Sequence, residues 1–332
     1  MGAQESCPWC GSEVFAGEAF CEACGRSLTE TPSAGDGRFP AGASSTERGA
    51  APAGACAGCG STAFSEDGYC ERCGLLRPGD RDHVETEAGG AAGVTDRGLR
   101  HSRNEDAMAL AAVAGGVAAV VCDGVSSSPL PQVASRTAAD TGLAALTERL
   151  GAGDDPEKAT RAALARAVEA VTALAGSPSD APACTYVSAY AGPSGVTVGW
   201  VGDSRAYWLD GQASRRLTTD DSWAAEMVAH GALTEAEARV HPNAHAIVAW
   251  LGADAGEIEP HVTTFVPEGP GTLLLCSDGL WNYYPEAAAL TAVLPDADPL
   301  TAARHLVRLA LDAGGRDNIT VVVIPLTQEH AA

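Results

Sequence analysis

The chain has 332 residues, 45% of them hydrophobic, and a formal net charge of −22 at pH 7. That length allows one large domain plus smaller modules. The charge argues against duplex nucleic acid as a main partner, since phosphate contacts need Lys and Arg, and suits binding of cations or basic protein segments. No apolar run approaches the roughly 20 residues of a membrane span. The start, Met1-Gly2-Ala3-Gln4-Glu5, lacks the basic and apolar regions of a signal peptide. The expectation is a cytoplasmic protein with no membrane partner.

Eight of the eleven cysteines form a repeat. Cys7-x2-Cys10 precedes Cys21-x2-Cys24 by ten residues, and Cys56-x2-Cys59 precedes Cys70-x2-Cys73 by the same spacing. Gly11 matches Gly60, Phe15 matches Phe64, Phe20 matches Tyr69 and Gly25 matches Gly74. Paired Cys-x2-Cys turns hold sulfurs where tetrahedral zinc–thiolate geometry needs them. A disulfide framework requires an oxidising compartment, and a redox Cys-x2-Cys requires a thioredoxin-like βαβ setting; neither is indicated. The reading is two structural Zn²⁺ ions, one per copy, in modules that resemble zinc ribbons at 5–26 and 55–76. Residues 1–25 contain no Lys or Arg, so this stretch offers no footprint for nucleic acid. Residues 27–54, rich in Ala, Gly, Ser, Thr and Pro, read as a flexible linker, and 77–92 as a second.

The large domain is expected over 93–327. Strands are expected at 117–122, 185–190, 196–201, 205–209, 272–276 and 319–324, with a turn at Gly192-Pro193-Ser194-Gly195. Helices fit 131–150, 156–175 and 299–313; the second opens on Asp155-Pro156 and the third stops at Gly314-Gly315. Cys122, Cys184 and Cys276 lie in or beside strands, where a buried thiol is the expectation. Strands with hairpin spacing outnumber helices, which favours an α+β class, antiparallel sheets covered by a few long helices.

Acidic residues punctuate these strands: Arg103-Asn104-Glu105-Asp106, Cys122-Asp123-Gly124, Gly202-Asp203-Ser204, Ser277-Asp278-Gly279 and Arg316-Asp317-Asn318. A strand that ends in Asp delivers a carboxylate at a sheet rim, and hard divalent cations take such oxygens. Two cations about 3.5–4 Å apart can share a carboxylate and activate a water. Each short motif is common in turns. Their order and spacing together resemble the type 2C metal-dependent protein phosphatases over nearly all of 93–326.

The resemblance implies a four-layer α-β-β-α sandwich, with two antiparallel sheets flanked by helices, behind the zinc ribbons. It implies a protein serine/threonine phosphatase, in which a hydroxide bridging two Mn²⁺ or Mg²⁺ ions hydrolyses phosphoserine and phosphothreonine. Asp123 would bridge both ions, Gly124 would offer its carbonyl, Asp278 and Asp317 would hold one ion, and Asp106 with Glu105 would serve the other. Asp203 matches a third, weaker metal position shared with Asp278. Asp123, Asp278 and His101 are the candidate catalytic residues. Residues 218–246 match a bacterial flap, with His245 near the third position, although an exposed loop histidine is the plainer reading. His101, between Arg100 and Arg103, stands where the family often has a phosphate-gripping Arg. Val125 stands where many relatives carry Gly or a proton-donating His. Expected partners are phosphorylated proteins and a cognate serine/threonine kinase, recruited by the zinc ribbons. The alternative is a weak or inactive phosphoprotein-binding scaffold of the same fold.

Overall fold

The computed structural model describes residues 82–326 except 114, 178, 179 and 257. It also describes two short strands near the start and residues 61–63, 65, 71 and 72. All eight repeat cysteines and the 27–54 linker lie outside the described residues. The chain divides into two units, Met1–Ala53 and Gly54–Ala332. In the first, β1 (Gln4–Ser6) pairs antiparallel with β2 (Glu13–Phe15).

The second unit begins its regular structure with β3 (His83–Ala88), β4 (Ala91–Asp96), β5 (Ala107–Val113) and β6 (Gly116–Cys122). Helices α1 (Pro131–Gly151) and α2 (Pro156–Thr172) follow, then β7 (Tyr186–Gly192), β8 (Gly195–Val201), β9 (Arg205–Leu209) and β10 (Arg215–Arg216). Two short helices, α3 (Trp223–Ala229) and α4 (Glu235–Arg239), precede β11 (His261–Phe265) and β12 (Gly271–Cys276). The order closes with α5 (Asp278–Trp281), α6 (Ala287–Val293), α7 (Pro299–Asp312) and β13 (Ile319–Leu326).

One correction concerns the segment expected as a linker over 77–92. Residues from His83 onward belong to the sheet as β3 and β4, so the domain starts about ten residues earlier than expected. Gly89 and Gly90 are a two-residue hairpin turn with φ of +59° and +82°, closing the Ala88–Ala91 pair. Both φ values are positive, as the favoured hairpin turn requires, and glycine adopts them at little cost.

The strands form two wholly antiparallel sheets, ordered β10-β9-β12-β13-β4-β3 and β11-β8-β7-β6-β5. Strand side chains alternate between faces, so each sheet buries two apolar surfaces. Between the sheets, Val121, Val187 and Trp200 meet Trp208, Leu275 and Val322. The outer face of the six-stranded sheet packs Leu274, Val321 and Val323 beneath Leu290 of α6 and Leu306 and Val307 of α7. The outer face of the other packs Val120 and Tyr186 beneath Ala134 and Ala138 of α1 and Leu164 of α2. Helix, sheet, sheet and helix thus stack as four layers. Cys122, Cys184 and Cys276 are buried free thiols within them.

Local signals set the helix starts. Asp155 Oδ1 accepts from Lys158 N at 3.2 Å ahead of α2, and Asp298 Oδ1 accepts from Thr301 N at 2.9 Å ahead of α7. Each satisfies a backbone donor with no intrahelical partner, and Pro156 and Pro299 occupy the first turn, where a missing N–H costs nothing. Among the described residues no helix is long and apolar enough to cross a membrane.

Candidate metal centre

The strand registers bring the acidic motifs to one rim. Cys122 pairs with Ala107, Val201 with Tyr186, and Cys276 with both Arg205 and Val321. Residues one or two positions beyond these ends therefore converge. Asp106 precedes β5, Asp123 follows β6, Asp203 follows β8, Asp278 follows β12 and Asp317 precedes β13. The two sheets contribute to one site. Asp123, Asp203, Asp278 and Asp317 floor an open cleft of about 620 Å³, with Val125 to Ser128 on its wall.

Each acid is held by neighbours that short motifs do not reveal. Ser277 Oγ and Thr320 Oγ1 both donate to Asp106 Oδ2 at 2.7 Å. Behind Thr320, the Thr95 hydroxyl lies 2.7 Å away and accepts in turn from Asn104 Nδ2 at 2.8 Å. With the Thr320 proton committed to Asp106, the relay runs in one direction, from Asn104 to Asp106. Asn318 Oδ1 accepts from Glu105 N at 2.7 Å, while its Nδ2 donates to the Arg97 and Arg103 carbonyls at 2.7 and 3.1 Å. One amide thus staples the 97–105 loop to the start of β13. Asp123 N donates to Thr185 Oγ1 at 3.1 Å, and that hydroxyl lies 2.7 Å from Ser204 Oγ, beside Asp203.

Two glycines are required by close approach. A Cβ on Gly124 would sit 2.6 Å from the Glu105 carbonyl oxygen, which accepts from Gly124 N. A Cβ on Gly98, at φ +74°, would sit 2.1 Å from the Asp317 carbonyl oxygen. Gly98→Ala is expected to cost at least 1–3 kcal/mol through backbone strain and displacement of the Asp317 loop. A lower melting temperature together with weaker manganese binding in titration calorimetry is the expected result.

The carboxylates repel one another in a confined space. Asp123 stands well above the ordinary carboxylate range, first through burial and then through the charges of Asp106, Asp278, Asp317 and Asp203. Burial and the charges of Asp317, Asp203 and Asp106 raise Asp278 likewise. Burial pushes Asp106 up to about 6, despite the Ser277 and Thr320 hydroxyls that favour its charge. Asp203 rises to about 7 through burial and the charge of Asp220, with Arg205 opposing. One oxygen of Asp106 and one of Asp278 are buried without a hydrogen-bond donor. Such an arrangement calls for positive charge. An all-oxygen donor set fits Mg²⁺ or Mn²⁺ rather than a thiolate-loving ion. Among the described residues no three His, Cys, Asp or Glu side chains close around a single point.

A pH dependence follows. A carboxylate raised in the folded state binds its proton there but not in the unfolded chain, so stability falls as pH climbs through that interval. For Asp106 and Asp203 the interval runs from about 4 to about 7. Below it, Glu85 acts oppositely. Its hydrogen bond from Arg304 lowers it to about 2, so its contribution is lost as pH falls below the ordinary glutamate range. Chelator-treated protein is expected to melt several degrees lower at pH 7.5 than at pH 5. Saturating Mn²⁺ should abolish that difference in calorimetry.

The sequence model of the protein phosphatase 2C family matches residues 97–308. The chain belongs to that family. It is 37% identical over 131 residues to protein phosphatase PhpP of Streptococcus pneumoniae, covering 40% of this chain and 53% of PhpP. The chain thus spans about half the length of the curated relatives it first matches. The crystal structure of the Mycobacterium tuberculosis serine/threonine phosphatase PstP/Ppp has a TM-score of 0.61 at 30% identity, covering 71% of this chain and 98% of that one. A structure of the catalytic domain of PstP in complex with two manganese ions has a TM-score of 0.58 at 26% identity, covering 74% and 99%.

Within this 2C-type frame, all five expected Asp residues and Gly124 gather at the rim. Glu105 instead turns one oxygen to Ser126 Oγ, 2.7 Å away. His101 stands beside the rim, with its Nε2 3.1 Å from Oδ1 of the cleft-lining Asp317. His245, by contrast, does line the cleft, with its ring 6.4 Å from that of Trp281. The flap closes at its base, where Trp223 N donates to the Ala246 carbonyl. Sequence reasoning passed over Ser277, Thr320, Thr185 and Thr95 as ligand-orienting groups. Ser277 sits inside a quoted motif, but its partner Asp106 is 171 positions away.

Proposed function

We propose that the chain is a metal-dependent protein serine/threonine phosphatase acting on phosphoserine and phosphothreonine in proteins. The observation that carries this reading is the convergence of carboxylates from both sheets, with Asp123, Asp203, Asp278 and Asp317 at the floor of one open cleft and Asp106 beside Asp123, in a member of the 2C family. Asp123 and the Gly124 carbonyl would serve both cations, Asp278 and Asp317 one, and Asp106 with Glu105 the other, with Asp203 an accessory position. When bound, Mn²⁺ or Mg²⁺ supplies charge neutralisation for the transferring phosphoryl group and a water that ionises near neutral pH. The protein's own work is positioning. Thr185 fixes the Asp123 backbone, and the Ser277 and Thr320 hydroxyls fix Asp106. Ser127 and Ser128 offer hydroxyl groups to phosphate along the cleft wall, while the Ser126 hydroxyl is held by Glu105. His101 is assigned to orienting Asp317. Val125 lines the cleft but carries no proton, so solvent protonates the leaving alkoxide.

The repeat cysteines would hold two structural Zn²⁺ ions, and their modules would recruit a phosphoprotein partner such as a kinase. Three buried free thiols fit a reducing compartment such as the cytoplasm. The test is release of inorganic phosphate from a phosphothreonine peptide with Mn²⁺ present, alongside metal content by mass spectrometry. Manganese-dependent turnover that chelation removes, with two zinc ions retained per chain, is expected. Tight phosphopeptide binding without turnover would leave only the scaffold.

A further inference from the structure

The cleft has a second wall that the phosphatase reading does not use. Ile247, Trp250 and Asp254 line it, where the flap returns to the body of the domain. Trp250 Nε1 donates to Asp254 Oδ1 at 3.0 Å, so the indole and the carboxylate hold each other in one orientation. The segment is closely packed. A Cβ at Gly252 would lie 2.8 Å from Asp254 Oδ1 and 3.3 Å from Ala183 Cβ. The next residues back anchor it, with Leu251 N and Cys184 N each donating to the other's carbonyl.

The charge pattern of the cleft gives this wall a meaning. Five of the described lining residues are Asp, and none is Lys or Arg. Four of the five form the floor, where cations would neutralise them. Asp254 is the lining carboxylate left over, standing at the N–H edge of the Trp250 indole in a chain of net charge −22. An aromatic face next to a carboxylate is a receptor for a cationic side chain, through cation–π attraction and ion pairing together.

We propose that Trp250 and Asp254 form a specificity subsite that accepts an arginine or lysine close to the phosphorylated residue. The substrate class is then a basic-flanked phosphopeptide. The inference rests on the phosphatase reading above. Exposed cation–π contacts and ion pairs are individually weak, and together they should favour a basic neighbour by roughly three- to tenfold.

The test uses the full chain with Mn²⁺ and a set of phosphothreonine peptides. Each peptide carries a single Arg at one position from three before to three after the phosphothreonine, or Ala or Glu in its place. For the wild type, at least one Arg peptide should show a KM three- to tenfold below its Ala counterpart, with kcat little changed, and the Glu peptide should be worse than Ala. The advantage should shrink at high salt. Asp254→Asn and Trp250→Leu should each reduce it below twofold, while turnover of p-nitrophenyl phosphate, which has no flanking residues, stays within twofold of wild type. Equal KM values across the wild-type peptide series, or an Arg advantage that survives Asp254→Asn, would overturn the subsite. Failure of the wild type to hydrolyse p-nitrophenyl phosphate would instead overturn the phosphatase reading, and the subsite with it.

Discussion

Asp123→Asn is expected to lower kcat/KM by at least a thousandfold, about 4 kcal/mol of transition-state stabilisation, without unfolding the protein. The metal-depleted variant should in fact melt at or above the wild-type temperature. Asp123 is surrounded by Asp106, Asp203, Asp278 and Asp317, and these charges together with burial raise it well above the ordinary range. An amide of the same shape removes that repulsion. Mn²⁺ at a hundredfold above its dissociation constant should stabilise the wild type by about 2.7 kcal/mol. In a domain of this size that corresponds to a shift of roughly 5–10 °C. The variant should lose most of the shift. The measurement is a pair of melting curves with chelator and with Mn²⁺, beside steady-state kinetics. A metal-depleted variant far less stable than wild type would mean that donors, not like charges, surround Asp123.

Asp220→Ala is expected to give the largest loss of stability of any single change at the site. Arg205 donates to both oxygens of Asp220, from Nε at 2.9 Å and from Nη2 at 2.6 Å, and both side chains are almost fully enclosed. The guanidinium also donates to Tyr207 Oη at 3.0 Å and lies 3.7 Å above the Trp281 ring. Removing the carboxylate strands a charge that cannot deprotonate. A broken buried pair costs about 3–5 kcal/mol, which lowers the melting temperature by on the order of 10 °C. The double variant Arg205→Leu/Asp220→Ala should recover part of this, because it leaves no uncompensated charge. If the double variant is as unstable as the sum of the two single ones, the pairing argument is wrong. Because Asp220 opens the flap segment and Arg205 lies two residues beyond Asp203, Asp220→Ala should also raise KM for phosphopeptides.

Features were legible in the sequence where the cause was local. Asp155-Pro156 marks the start of α2 because both the capping oxygen and the tolerated proline act within one turn. The Gly192-Pro193-Ser194-Gly195 hairpin follows from the glycines that close it on either side. The same logic was available for Ala88-Gly89-Gly90-Ala91. There the small, apparently featureless residues passed for linker, although Gly-Gly is also a hairpin signal and β3 alternates exposed and half-buried positions. The acids of the site could be found because each stands beside a strand end. Their supports could not. Thr320 donates to Asp106 across 214 positions and Asn318 binds Glu105 N across 213, and nothing local in Ser-Asp-Gly or Asp-Asn-Ile announces such a partner. The contact of His101 with Asp317 was likewise out of reach, because 216 positions separate them in the chain.

The position of β13 bears on how the domain is made. This strand follows every other strand in the chain, yet it lies inside the six-stranded sheet between β12 and β4. During synthesis those two strands must wait with unpaired edges, the kind of surface that invites wrong pairing. Asp317, Asn318 and Thr320 arrive with the same segment. The carboxylate rim is therefore expected to be completed late in folding. In refolding experiments, ion binding should lag behind burial of the earlier five-stranded sheet, and a nascent chain stopped before Asp317 should neither bind the ion nor protect its sheet edges.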